Sequence, residues 1–425
     1  MLIPGQTVAL YIEKPAAGGR MIARVDGQVV LVSGAIPGER VTARIERVSK
    51  SVAYAETVTA DKPSADRRPT IGDPMCGGSL YSHIAYPRQL EIKSEVIADA
   101  LARIGHVELP SAVRVAGSPA EGYRMRARLH VRGRRIGFFR EATHDVCDAR
   151  QTGQLLPQSC DVIDRVTATI RSLGLDVIRE IDLAENVDAS DRVLGLETIE
   201  AIDPRIIDRL ASTDGLTGLV SGSAVHGRPY VTDRVDFDDA LVVLRRHVLA
   251  FFQGNRHLLR PLVEHVVSQV PEGGELVDLY AGVGLFAISA AVVRRGRVTA
   301  VEGDRWAAAD LDANAAATQG AVRPVHDAVE NFLSPFSGVR LQPDGGDAAR
   351  TLIVDPPRTG MSREALEGAM RIHATRVIYV SCDVATLARD ARRILDAGYT
   401  ISRADAFDLF PNTPHVETVI VFDRT

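Results

Sequence analysis

The C-terminal half of the chain alternates short apolar runs with helical patterns, and this alternation restricts the fold more than any other feature. Strands are predicted near 276–280, 298–302, 352–355, 377–380 and 418–422, with helical periodicity between the first four. That order of elements belongs to an α/β sheet covered by helices. Such sheets bind ligands at the carboxyl ends of their strands, so the residues just after each run are the functional candidates. In Val377-Ile-Tyr-Val-Ser-Cys-Asp383 the run stops at a polar cluster, and Leu387, Asp390, Ala391, Ile394 and Leu395 then recur at helical spacing. Cys382 would stand at that turn. A free cysteine is as often a small buried hydrophobe as a reactive group, and position alone does not separate the two readings.

At 425 residues the chain has room for two or three domains. Its net charge of −5 gives no overall attraction for nucleic acid, so any polyanion site must be a local basic patch. The four cysteines, Cys76, Cys147, Cys160 and Cys382, lack paired spacing, which argues for a reducing compartment and against a disulfide framework. No signal peptide or membrane-length apolar run is visible, and a cytoplasmic location is expected.

Residues 1–58 read as a small, OB-like β-barrel. Val8–Tyr11, Met21–Val25, Val29–Val32 and Val41–Ile45 are short strands divided by Gly18-Gly19, Asp26-Gly27 and Pro37-Gly38. Residues 59–90 read as a linker carrying Cys76-Gly-Gly-Ser79, with a helix from about Pro87. Residues 91–245 form a central α/β domain. In its strand from Tyr123, Arg124, Arg126, Arg128, His130 and Arg132 alternate with Met125, Ala127, Leu129 and Val131. A period of two sets the basic groups on one face, where phosphates would relieve their mutual repulsion. A solvated edge strand is the plainer reading, although one or two charges suffice to protect an edge.

Residues 246–425 are expected to form a Rossmann-like domain. Leu276-Val-Asp-Leu-Tyr-Ala-Gly-Val-Gly-Leu-Phe286 runs a strand into a glycine turn, where Gly282 and Gly284 let a ligand approach the backbone. The third glycine of the dinucleotide fingerprint is missing. Glu302 ends the next strand about twenty positions later, placed for ribose hydroxyls. Together these residues resemble S-adenosylmethionine methyltransferases more than dehydrogenases. Asp355-Pro-Pro-Arg358, Ser381-Cys-Asp383 and Phe410-Pro-Asn-Thr-Pro-His-Val-Glu417 follow in order. With the glycine loop, the arginine strand and a barrel that resembles the TRAM domain, they resemble the RNA 5-methyluridine methyltransferases of the TrmA and RlmD type.

That resemblance implies an enzyme that transfers a methyl group from S-adenosylmethionine to C5 of a uridine. Cys382 would be the nucleophile and Glu417 the base, with Gln253, Tyr280, Glu302, Asp327 and Asp355 around the cofactor. The barrel and Arg124, Arg126, Arg128 and Arg132 would hold RNA, with ribosomal RNA expected ahead of transfer RNA, no membrane and a monomeric chain. Asp355 could serve uracil or cofactor. The family often has Asn where Leu285 stands. Many members also hold an iron–sulfur cluster through four cysteines. Here Cys76 keeps one place while Thr70, Ser79 and Thr152 occupy the others, so no cluster and no metal are expected. The competing readings are a 5-methylcytosine enzyme and a non-catalytic RNA-binding protein on the same fold.

Overall fold

The computed structural model describes residues 2–70, 72–109, 111–133, 135–334 and 350–425. The N-terminal part is a six-stranded sheet whose strands include Thr7–Tyr11, Met21–Val25, Gln28–Ser33, Arg40–Ser49 and Val52–Lys62. Ile12, Val30, Val32, Val41, Ala43 and Ile45 fill its interior. The last strand runs into the expected linker. Beyond it, Arg67 donates two hydrogen bonds to the wholly buried Glu39, which ties the linker back to the barrel.

The central sheet has seven strands. Its strand Arg126–Arg132 buries Ala127, Leu129 and Val131 and turns the basic residues the other way, as the period of two requires. Helices Pro157–Ser172 and Pro204–Ala211 pack on this sheet through Ile163, Val166, Ile170, Ile207 and Leu210.

Among the described residues the C-terminal sheet has eight strands in the order Val322–His326, Arg297–Glu302, Glu275–Leu279, Arg350–Val354, Arg376–Ser381, Glu417–Arg424, Tyr399–Phe407, Arg114–Ala116. The first five are parallel neighbours, and Glu417–Arg424 is inserted antiparallel between two strands. Two segments from before residue 246 join this domain. The strand Arg114–Ala116 extends its edge, and the hairpin Tyr230–Phe237/Ala240–His247 places Val235, Phe237, Val242 and Leu244 in its core. The helix Tyr86–Arg103 also packs on it, against the helix Val384–Asp396. No described helix is long and apolar enough to cross a membrane.

The expectation about the cysteines is corrected. Cys76 and Cys147 form a disulfide, with Cα atoms 5.8 Å apart, while Cys160 and Cys382 are free. The partners are 71 residues apart, so spacing along the chain could not reveal the pair. Tertiary pairing brings them together. Cys147 lies in the strand Val146–Asp148, which pairs with Arg135–Phe139, and Cys76 bridges to Arg140 just beyond it. The segment around Cys76-Gly-Gly-Ser79 is therefore held by a covalent bond as well as by hydrogen bonds. The latter include Gln154 Nε2 to the Gly78 carbonyl and Gly77 N–H to the Phe139 carbonyl.

Candidate active site

Strand register gathers the site residues at one sheet edge. Leu279 pairs with Val354, and Val354 with Tyr379, so Tyr280 and Asp355 leave their strands side by side. Ser381 pairs antiparallel with Thr418, which puts Cys382 just past one strand and Glu417 at the start of its neighbour, at the same end. Asp383 then caps the following helix, accepting from the Ala385 and Thr386 N–H groups at 3.1 and 2.9 Å.

The glycine turn has the shape of a ligand cradle. Tyr280, Gly282 and Gly284 all have positive φ, at 62°, 57° and 94°. A Cβ on Gly284 would come within 2.8 Å of Leu311, so this glycine lets the helix close on its neighbour. A Cβ on Gly282 would meet nothing within 4 Å, which leaves the backbone open to a ligand. Glu302 stands beside it. One carboxylate oxygen accepts from Gly282 N–H and the other from Asp304 N–H, both at 2.7 Å. Asp327 donates its N–H to the Glu302 carbonyl and accepts from Asn331, so the second and third strand ends are joined.

Asp355 accepts from Gln253 Nε2 at 3.2 Å. Burial pushes its carboxyl up to about 7, against the hydrogen bond from Gln253, and the charge of Glu302 adds to the rise. Glu417 is 2% exposed, and its Oε1 has no hydrogen-bond partner among the described residues. Burial, followed by the charge of Asp355, holds its proton affinity well above the carboxylate range, while Arg358 opposes both. Burial and then Glu417 push the Cys382 thiol up to about 12, and Arg358 again pulls the other way through its charge and a hydrogen bond. His415 is driven down to about 4, first by burial and then by Arg358, Lys93 and Arg124, so its ring is neutral near pH 7.

Two residues of this site carry roles that their sequence positions did not disclose. Arg358 appeared only as the last letter of the Asp-Pro-Pro-Arg run, yet it is the cation that acts on Cys382, Glu417 and His415 together. Asp390 counted as one position of a helical stripe, yet it is fully buried and accepts from Tyr379 OH at 2.7 Å and from Met361 N–H at 3.0 Å. It thereby ties the Asp355 turn to the Cys382 strand.

The arginines divide into two sets. Arg128 faces Asp182 and Glu180 at 3.2 and 3.4 Å, and His130 faces Glu180 at 3.0 Å, so the adjacent strand supplies their countercharge. Among the described residues, Arg124 and Arg126 have no carboxylate within salt-bridge distance. Arg124 donates to Gln154 and lies over Phe138, and Arg126 donates to the Ala250 carbonyl and lies over Phe251. Burial lowers both, Arg126 to about 10. Arg132 donates to its neighbour's carbonyl, lies over Phe139 and has no carboxylate partner among the described residues. The carboxylate-free cations are therefore Arg124, Arg126 and Arg132, and Arg124 is close enough to feel the charge of Arg358.

Residues 221–425 match the family described as tRNA (Uracil-5-)-methyltransferase, and residues 3–58 match the TRAM domain. A relative from Methylococcus capsulatus, named 23S rRNA (uracil(1939)-C(5))-methyltransferase RlmD, is 32% identical over 99% of this chain and 98% of its own length. The chain belongs to the RNA uracil-C5 methyltransferase family. The enzyme of that name from Halomonas elongata is also 32% identical, over 98% of this chain and 89% of its own. The structure of Pyrococcus abyssi tRNA (uracil-54, C5)-methyltransferase in complex with S-adenosyl-L-homocysteine superposes with a TM-score of 0.76. It covers 97% of this chain and 99% of the other at 24% identity, so the likeness is one of fold throughout the length. The protein is thus an S-adenosylmethionine-dependent RNA uracil-C5 methyltransferase. The open backbone at Gly282 beside Glu302 fits that cofactor. Asp278, wholly buried at the head of the turn, accepts from the Ala287 N–H, and burial holds its proton affinity well above the carboxylate range.

Proposed function

We propose that this methyltransferase modifies a uridine of ribosomal RNA through a covalent bond between Cys382 and uracil C6. The cofactor, when bound at Gly282, Glu302, Asp327, Gln253 and Asp355, supplies an electrophilic methyl group. Uracil C5 is a weak nucleophile. Addition of the Cys382 sulfur to C6 moves the C5–C6 π electrons onto the ring as an enolate, and C5 then accepts the methyl. Glu417 takes the C5 proton, the double bond re-forms, and the sulfur leaves with the electrons of the C6–S bond. Arg358 favours the thiolate that must attack and that later departs.

The observation that carries this reading is the pairing of Ser381 with Thr418. It brings Cys382 and Glu417 to the same end of adjacent strands, at the edge that also carries the glycine turn. A base that removes a proton from carbon benefits from raised proton affinity, which burial and Asp355 give Glu417. The ribosomal target rests on relatives of that name at 32% identity along nearly the whole chain. A monomer acting in the cytoplasm belongs to the same reading. The target base must leave its stack to reach Cys382, and on this reading Arg124, Arg126 and Arg132 hold flanking phosphates.

The test uses ribosomal RNA from a strain lacking the gene. Cys382→Ala should abolish methylation while keeping RNA and cofactor affinity. Glu417→Gln should accumulate a protein–RNA adduct that survives denaturing gels. Turnover by the alanine variant would refute the covalent route, and a slow glutamine variant without adduct would remove Glu417 from the role of base.

A further inference from the structure

The helix Tyr86–Arg103 buries two polar residues one turn apart, Gln89 and Lys93, each 1% exposed, among Ile92, Val96 and Ile97. Both face the loop that runs from Asp408 into Glu417. That loop has no strand or helix ladder, so its backbone groups need partners elsewhere. They find them in side chains and amides from distant parts of the chain. The Leu409 carbonyl accepts from Asn255 Nδ2 at 3.2 Å, Phe410 from Lys93 Nζ at 3.1 Å, Pro411 from Tyr123 OH at 3.3 Å and Asn412 from Tyr81 N–H at 2.8 Å. Gln89 then grips Asn412 twice. It donates to Oδ1 and accepts from the backbone N–H, both at 2.9 Å. Asn412 is in the left-handed region at φ 62°, so the chain reverses at the point that is gripped. The barrel touches the same loop, since a Cβ on Gly19 would lie 3.0 Å from Pro414.

Lys93 is the centre of this arrangement. Its ammonium lies 2.5 Å from Asp408, and the two side chains are 1% and 0% exposed. Burial lowers its proton affinity and Asp408 restores part of it. A buried ion pair rarely stabilises a fold more than apolar residues of the same size would, because both charges lose their water. Here the pair ties Asp408 and the Phe410 carbonyl to one ammonium. Glu417 needs its geometry fixed from outside, since no hydrogen bond from the described residues orients its buried Oε1. Its direction is set by the backbone that leads to it.

We propose that Lys93, with Gln89, is a positioning residue for the base. It holds residues 408–413 in the one conformation that aims Glu417 at C5, and so acts on proton removal rather than on cofactor binding or on addition of the thiol. This rests on the reading of Glu417 as the base. The experiment compares full-length Lys93→Met, Lys93→Met/Asp408→Asn and Gln89→Leu with Glu417→Gln. The double variant leaves no unpaired buried charge, so it separates folding from positioning. It should melt within a few degrees of the parent and keep both KM values within about twofold. Misplacement of a reacting group by about 1 Å costs on the order of a hundredfold in rate, so kcat should fall by about that factor while adduct accumulates as in Glu417→Gln. Gln89→Leu should change in the same direction. A folded double variant with parental turnover, or one that is slow without adduct while Glu417→Gln traps it, would overturn the positioning role. Absence of adduct in Glu417→Gln itself would overturn the role of Glu417, and the proposal with it.

Discussion

The Cys382 thiol offers the sharpest quantitative prediction, because the protein raises it while the proposed covalent route needs it ionised. With the thiol at about 12, the thiolate fraction of the free enzyme at pH 8 is about 10⁻⁴, and it rises about tenfold with each pH unit. Alkylation by iodoacetamide should follow that line from pH 7 to pH 10 without a plateau, whereas an ordinary exposed thiol levels off above about pH 9. Two substitutions should shift the line in opposite directions. Glu417→Gln removes the second-largest cause of the rise and should speed alkylation at pH values where Glu417 is ionised. Arg358→Met removes the group that opposes it and should slow the reaction. The assay is peptide mapping by mass spectrometry, which separates Cys382 from the buried Cys160. A plateau near pH 8, or identical rates in the two variants, would refute this account of the electrostatics. It would mean that neither burial nor Glu417 governs the Cys382 thiol.

Glu302→Gln weakens hydrogen bonding to a ligand that now meets a neutral side chain, and should reduce S-adenosylmethionine affinity by about ten- to a hundredfold. Calorimetry, or the emission of Trp306 four residues away, should report it, and unchanged affinity would place the ribose elsewhere. Arg124→Gln and Arg126→Gln should each flatten the log–log salt dependence of RNA binding by about 0.7–0.9. Arg128→Gln should do less, since Asp182 and Glu180 already offset that charge; equal slopes for all three would contradict the division. Denatured, unreduced protein should titrate two thiols per chain and reduced protein four, and closure of a loop of this length stabilises by about 4 kcal/mol. Four thiols without reductant would mean that the pair is open. Protein prepared without oxygen should contain no stoichiometric iron; a brown preparation with about four irons per chain would reverse that expectation.

The strands that carry the site were legible because each is a short apolar run ending in residues that cannot continue it. Asp355-Pro-Pro and Ser381-Cys-Asp are such endings. The strand Tyr399–Phe407 escaped notice because its exposed Arg403 and neighbouring Ser402 and Asp405 interrupt any apolar run. The strand Arg114–Ala116 is only three residues long and joins the sheet through Asp405–Phe407. Gln89 and Lys93 broke the apolar stripe of their helix, and the reason for the break lies more than three hundred residues away in the chain.

The residue order by itself determined the α/β alternation, the alternating faces of the Arg126–Arg132 strand and the strand ends at which Asp355 and Cys382 stand. Those depend on local periodicity and on side-chain chemistry. Only the tertiary structure decided which charges are compensated, that Cys76 meets Cys147, that Arg358 acts on Cys382 and that Lys93 pairs with Asp408. These are relations between groups far apart in the chain, set by strand register and packing. No spacing along a single sequence encodes the distance between them.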